Sequence, residues 1–286
     1  EVIAYGMSDA ALRLAGRLGI RMVYGHLAEM SGHGLRLDVH TSWGGAQLNS
    51  ALVGRFNAAN LLGALAVLLV SGIGLSDAVS SLSKVQAVAG RMQRLGAAQQ
   101  PTVIVDYAHT PDALEKVLLA LRETCSMSAE PDGAQFTGDT REGYTGGYPE
   151  AAPPPIRRLI CVFGCGGDRD RGKRTMMGRV AERFSDHCIV TSDNPRGEDP
   201  RHIIDEVVSG MTANNHEIIV DRAAAIERAI AMARQSDTVL VAGKGHEDYQ
   251  EIGGVKYPFS DVAVAQRVLQ SWQALRQAQD IRGAGE

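Results

Sequence analysis

The chain has 286 residues, 44% hydrophobic and 22% charged, with a net charge of −4 at pH 7. That composition describes a globular chain of one large or two ordinary domains and excludes a disordered polymer. The slight negative balance offers no general attraction for nucleic acid or an anionic membrane surface, so neither is expected as a partner.

Residues 1 to about 55 read as short strands and turns. Leu35, Leu37 and Val39 alternate with Arg36, Asp38 and His40, the period-two pattern of a half-buried strand. His26, His33 and His40 match no compact metal site by spacing and read as solvent-exposed. Ser42-Trp43-Gly44-Gly45 reads as a turn. Asn57 then reads as the N-cap of an apolar helix that Ser71-Gly72 stops. The run Leu61 to Ile73, broken only by Gly63, Ser71 and Gly72, is too short to span a bilayer and reads as a buried core helix. Asn60 lies three residues after Asn57, so both amides share one face of the first turn. Locally this is a cap plus a surface residue, or else an amide pair able to bind a ligand. A further helix near 75–85 leads to Gly90-Arg91-Met92, where the character of the chain changes.

From Pro101 strands and helices alternate. Runs at 102–105, 159–163, 188–191, 218–220 and 238–241 read as strands, each paired with a helix. Thr110-Pro111 and Asp199-Pro200 carry the cap-plus-proline signal of a helix start, and Ser260 caps a final helix over about 261–280. Such units imply an α/β fold with a mostly parallel, doubly wound, Rossmann-like sheet covered on both faces. Thr124 to Pro155, rich in Gly, Pro, Glu and Thr, breaks the pattern and reads as a flexible surface insertion.

Ligands of open α/β sheets bind outside the carboxyl ends of the strands. Two charged turns sit at such ends: Gly164-Cys165-Gly166-Gly167-Asp168-Arg169-Asp170 and Asp193-Asn194-Pro195-Arg196. A third strand end carries Gly243-Lys244-Gly245-His246-Glu247, whose glycines let backbone approach a ligand. Gly167 to Lys173 has the glycine and lysine spacing of a phosphate-binding loop, but Arg174 stands where Ser or Thr should hold magnesium. Asp168 and Asp170 would also repel a triphosphate, and Arg169 replaces the third glycine of the dinucleotide pattern. Arg169, Arg171, Lys173 and Arg196 face Asp168, Asp170, Asp193 and Glu247 in this reading. Guanidinium matches carboxylate and carboxylate matches ammonium, so the mixture suits a zwitterionic amino acid, unless these charges pair with one another on a solvated rim. The four cysteines, with His187 beside Cys188, match no common zinc pattern and no disulfide framework, so no metal ligand is assigned. This usage fits a reducing cytoplasm. The chain opens at Glu1 with no signal segment and reads as the later part of a longer protein.

Taken in order, Phe56-Asn57-Ala58-Ala59-Asn60, Gly90-Arg91-Met92, Asp106-Tyr107-Ala108-His109-Thr110-Pro111, Phe163 to Asp170, Asp193 to Arg196 and Gly243 to Tyr249 resemble the Mur ligase family. The form of the Asp193–Arg196 motif is similar to that of members adding meso-2,6-diaminopimelate. The resemblance implies that residues 1–90 end a central ATPase domain and 91–286 form a C-terminal amino-acid-binding domain. It implies amide-bond formation between meso-diaminopimelate and UDP-N-acetylmuramoyl-L-alanyl-D-glutamate, through an acyl phosphate made with ATP and Mg2+, by a cytoplasmic, monomeric enzyme. On this basis Arg169, Asp193, Asn194, Pro195, Arg196, Gly243 and Glu247 contact diaminopimelate, Arg196 the distal carboxylate and Glu247 the distal ammonium. Asn57, Asn60, Arg91, Asp106 and His109 lie near the nucleotide, which favours the ligand reading of the two amides. The family's phosphate loop and magnesium ligands lie upstream, so these residues alone are expected to be inactive. A lysine-adding ligase and a non-catalytic amino-acid-binding module stay open as alternatives.

Overall fold

The computed structural model describes residues 2–31, 34–97, 99–127 and 157–283, with side chains up to Thr124 and Trp272 in the helices that end at 127 and 283. His33 and nearly all of the expected insertion lie outside these residues.

A first sheet holds β1 (Ile3–Gly6), β2 (Arg21–Ser31), β3 (Gly34–Thr41) and β4 (Gly44–Ser50) in that order. β1 is parallel to β2 and the other pairings are antiparallel. Leu35, Leu37 and Val39 of β3 point into the core as their alternation predicts, and Ser42-Trp43 turns the chain into β4. The apolar stripe of α2 (Arg55–Val70), from Ala58 through Leu61, Leu62 and Leu65 to Leu69, covers that face with α3 (Leu75–Ser83). Two expectations are corrected here. α1 (Asp9–Leu18) is a helix where strands and turns were expected; Ser8 caps it and Gly19 ends it in the left-handed conformation. It escapes periodicity because only Ala15 is buried. Asn57 is not the cap of α2: Gly54, at φ 96°, is. The Asn57 amide instead donates back to the Val53 carbonyl at 2.8 Å.

The second sheet has six strands, ordered β5 (Gln93–Leu95), β6 (Thr102–Asp106), β10 (Thr238–Ala242), β7 (Leu159–Phe163), β8 (His187–Val190) and β9 (His216–Ile218). All neighbours are parallel except β5. β9 lies slightly earlier than the 218–220 run suggested. Helices α4 (Pro111–Met127), α5 (Gly172–Phe184) and α6 (Pro200–Val208) cover one face. Helices α7 (Arg222–Met232) and α8 (Asp261–Gly283) cover the other. In β7 Leu159, Cys161 and Phe163 join the first core while Ile160 and Val162 join the second, which explains the unbroken apolar run. Each such buried aliphatic or aromatic side chain stabilises the fold by about 1.5–3 kcal/mol. Thr110, Asp199 and Ser260 cap their helices as their sequence context predicts.

The chain runs from β6 to β7 and later returns to place β10 between them. That reversal leaves a crevice at the carboxyl edge of the sheet. An antiparallel hairpin over it, β11 (Tyr249–Ile252) and β12 (Val255–Pro258), was not anticipated. Its turn uses Gly253 and Gly254 at φ 58° and 77°, the positive values a two-residue hairpin turn demands. Among the described residues no helix is long and apolar enough to cross a membrane.

Candidate functional site

The loops after β7, β8 and β10 share the carboxyl edge of the sheet, and the first two are bonded together. Gly167 N donates to the Asn194 carbonyl at 2.9 Å, and Arg196 Nη1 donates to the Gly167 carbonyl at 2.8 Å. A Cβ at Gly167 would overlap the Pro195 carbonyl oxygen, so only glycine permits this approach. Below the loops Arg174 is buried. It donates to both Glu198 oxygens at 2.9 and 2.7 Å, to Glu206 at 2.7 Å and to the Gly166 carbonyl at 3.3 Å. Glu198 also accepts from Asp168 N. Hydrogen bonds from Arg174 hold the Glu198 carboxyl down at about 2, and those from Arg171, then Arg174, do the same for Glu206. The residue that spoils the phosphate-loop motif therefore braces the glycine loop from beneath.

The Asp193–Arg196 loop also meets the segment after β10. Asn194 Oδ1 accepts from Lys244 Nζ at 2.8 Å and Glu251 N at 2.9 Å, while its Nδ2 donates to Glu247 Oε2 at 2.9 Å. Lys244 Nζ reaches Glu247 Oε2 at 3.2 Å and lies 3.9 Å from Asp193 Oδ1. Arg222 lies 4.0 Å from the other Asp193 oxygen and is clamped by Asp261 through two 2.8 Å bonds. Neither Arg222 nor Lys244 retains meaningful solvent exposure. Two cations, Arg222 and Lys244, against three carboxylates, Asp261, Asp193 and Glu247, leave one net negative charge in this buried cluster. Gly243, at φ 121°, passes so close to Asp193 that a Cβ would lie 2.7 Å from its Oδ2.

Arg196 is itself left-handed at φ 51°, a strain of about 1–3 kcal/mol for a non-glycine residue. The hairpin holds it there: Arg196 N donates to the Glu251 carbonyl at 3.0 Å and Gly253 N to the Arg196 carbonyl at 2.7 Å. Its Nε stands 3.4 Å from Glu251. Arg169 is exposed, and a Cβ on Gly166 would meet both its side chain and Arg196 Nη1. The loops that carry Arg169, Asp193, Asn194, Pro195, Arg196, Gly243 and Glu247 are thus packed together at one edge of the sheet. Arg171, Lys173, Asp168 and Asp170 do not take part. Arg171 bonds Glu206, Lys173 pairs with Asp170 at 3.8 Å, and the two aspartates accept backbone N–H groups of Gly197 and Gly172. For these four the rim reading holds. Sequence reading missed Lys244, Arg222, Gln250 and Glu251. Lys244 stood in a motif noted for its glycines, Arg222 opens a helix that was placed only by its pairing with a strand, and Glu251 and Gln250, which donates to the Asp193 carbonyl at 2.7 Å, lie in the unforeseen hairpin.

A second cluster forms around Tyr107, where the Gly90–Met92 segment and the loop between β6 and α4 meet the segment after β10. The Arg91 guanidinium covers the Tyr107 ring at 4.7 Å. The His109 and His246 rings stand 4.6 and 5.3 Å from Tyr107. Gly90, at φ 67°, packs so tightly on the Gly245–His246 backbone that a Cβ would overlap it. The Asp106 carboxylate is turned inward, accepting from Met92 N at 2.7 Å and Ala108 N at 2.8 Å. Burial raises its pKa, with those bonds and Arg91 opposing. Asn57 and Asn60 sit on the first turn of α2, joined to each other at 3.4 Å. The exposed cation and rings suit the face of a nucleotide base. The fit does not extend to a polyphosphate or metal: Asp168 and Asp170 occupy the Gly167–Lys173 loop, and the described residues gather no group of three or more His, Cys, Asp or Glu side chains placed to hold a metal ion.

Comparison with known proteins agrees with this geometry. The model of the Mur ligase, glutamate ligase domain, matches residues 90–130 and 149–245. A UDP-N-acetylmuramoyl-L-alanyl-D-glutamate–2,6-diaminopimelate ligase of Chromobacterium violaceum is 50% identical over 239 residues, 84% of this chain and 43% of that protein. The protein of the same name from Pseudomonas aeruginosa is 43% identical over 274 residues, 96% of this chain and 48% of its own. The chain therefore spans about half the length of these relatives. A solved structure of a protein of that name superposes with a TM-score of 0.66 at 31% identity, covering 95% of this chain and 53% of that one. Folylpolyglutamate synthase from Thermotoga maritima shares the fold, with a TM-score of 0.56 at 20% identity over 84% of this chain and 50% of its own. The motifs, the doubly wound sheet and these likenesses agree: the chain belongs to the Mur ligase family.

Proposed function

We propose that this chain is the acceptor-binding part of a cytoplasmic, ATP-dependent ligase joining meso-2,6-diaminopimelate to UDP-N-acetylmuramoyl-L-alanyl-D-glutamate. One observation carries the reading: the Arg196 and Arg169 side chains both lie against Gly166, and the neighbouring Glu247 belongs to a cluster of net negative charge. A side chain ending in both a carboxylate and an ammonium matches that division of charge. Lysine has no distal carboxylate for Arg196 to grip. The names of the relatives support the same substrate. On this reading residues 1–90 end the central domain and 91–286 form the acceptor domain.

ATP, held with Mg2+ mainly by residues outside this chain, supplies the phosphoryl group that activates the D-glutamyl carboxylate. Within the chain, Arg196 and Arg169 fix the distal carboxylate and Glu247 the distal ammonium. The other amino group is thereby held in one orientation toward the acyl carbon, which converts a collision into a positioned attack. Arg91 and the Tyr107, His109 and His246 rings take the base side of the nucleotide, with Asn57 and Asn60 beside them. Asp106 keeps the Gly90–Met92 segment in place.

The test is turnover by the full-length protein with ATP, the UDP-linked dipeptide and either diamino acid. Phosphate release and a product heavier by one diaminopimelate residue are expected only with diaminopimelate. Preference for lysine, or amino-acid binding without any ATP-dependent product, would overturn the proposal.

A further inference from the structure

We infer that Lys244 is a positioning residue for acceptor selection, aiming the Glu247 carboxylate, directly and through the Asn194 amide, at the distal ammonium of the incoming amino acid. The inference rests on the acceptor reading above and assigns a role to a residue that need not touch the ligand.

The argument is one of donors and acceptors. Asn194 Oδ1 already accepts two N–H donors, from Lys244 Nζ at 2.8 Å and Glu251 N at 2.9 Å. That fixes which end of the amide is oxygen, so Nδ2 must be the group that meets Glu247 Oε2 at 2.9 Å. Lys244 Nζ reaches the same Oε2 at 3.2 Å. One Glu247 oxygen is thus doubly occupied, whereas Oε1 has no hydrogen bond among the described residues. A carboxylate anchored through one oxygen presents the other in a defined direction. Lys244 is fully buried, pinned by Asn194, Glu247, Asp193 at 3.9 Å and the Tyr249 ring at 5.6 Å. Its ammonium is therefore spent on the protein and is not a ligand contact. It also balances two carboxylates, Asp193 and Glu247, that would otherwise repel each other in a water-poor cluster.

No other lysine among the described residues is buried. Lys256 lies over the outer side of the same tyrosine at 4.1 Å on an exposed strand. The same ring thus meets one cation committed to the interior and one at the exposed edge.

The experiment compares meso-diaminopimelate with 2-aminopimelate, which keeps both carboxylates and lacks the second amine, as acceptors for the full-length ligase. Wild-type protein should prefer diaminopimelate, and failure to use either would count against the acceptor reading itself. In Lys244→Met the preference, measured as the ratio of kcat/KM values, should fall about tenfold or more, the effect of losing a hydrogen bond to a charged group. The loss should appear in the KM for diaminopimelate, with kcat nearly unchanged and 2-aminopimelate hardly affected. Lys244→Arg should restore part of the preference. The double variant Lys244→Met/Glu247→Gln removes the unpaired carboxylate along with the lysine, which guards against misfolding. Its preference should be no lower than that of Glu247→Gln alone. An equal fall for both acceptors in Lys244→Met, or additive losses in the double variant, would show Lys244 to be structural only and overturn the inference.

Discussion

The crevice at residues 193–196 and 243–251 and the cluster around Tyr107 sit on opposite sides of one loop, yet they are built differently. In the crevice, functional side chains are anchored by buried charges: Lys244 beneath Asn194 and Glu247, Arg222 and Asp261 behind Asp193, and Arg174 under the glycine loop. Around Tyr107, by contrast, Arg91, His109 and His246 are exposed and meet through ring faces and edges. The difference teaches how each region acquires precision. On the proposed reading this site is organised before its ligand arrives, which suits discrimination between similar amino acids. The ring cluster gains its final geometry from whatever stacks on it.

The largest test of this contrast is removal of a buried countercharge. Asp261→Ala leaves the buried Arg222 guanidinium with only Asp193, 4.0 Å away, and unfolding in urea should show a loss of about 3–5 kcal/mol. A loss below about 1 kcal/mol would mean the crevice is not braced by that pair. Next comes Gly167→Ala, whose methyl group would overlap the Pro195 carbonyl. It should cost about 1–3 kcal/mol and weaken acceptor binding by parting the two loops. Near-normal stability with normal affinity would show that the loops yield easily.

Acid should unpick the crevice at its base. Glu198 and Glu206 have folded pKa values lowered to about 2 from 4.5. A lowered carboxylate pKa stabilises the fold fully above the unfolded value, and that contribution is lost as pH falls from about 4.5 toward 2. Melting temperature should therefore drop across this window, and the drop should be shallower in Arg174→Met. Identical slopes would remove Arg174 from the account. The smallest effect is expected at the other cluster: Arg91→Ala should change stability by less than about 0.5 kcal/mol, as for exposed side chains elsewhere, while raising the KM for ATP. A larger loss of stability would erase the contrast.

The sheet was legible because β6, β7 and β10 are five-residue apolar runs, and because Thr110-Pro111 marks a helix start soon after β6. The three motif loops were legible because glycines and charges cluster at strand ends. What escaped is what depends on distant partners. Arg222 and Asp261 lie 39 residues apart, and no local pattern brings them together. α1 hid because its leucines face outward and only its caps betray it. The hairpin hid because Val255–Pro258 is exposed throughout and shows no buried alternation. The four loop charges that read as ligand-facing, Asp168, Asp170, Arg171 and Lys173, are instead satisfied by one another, by Glu206 and by the backbone, a choice composition cannot make.

The most direct measurement is calorimetric titration of the full-length protein with meso-diaminopimelate, with L-lysine as competitor and Arg196→Ala as control. The account predicts binding that lysine does not displace and that falls about tenfold or more in the variant, as expected for losing a hydrogen bond to a charged group. Equal binding of lysine, or undiminished affinity in Arg196→Ala, would contradict the claim that the Asp193–Arg196 loop reads the distal carboxylate.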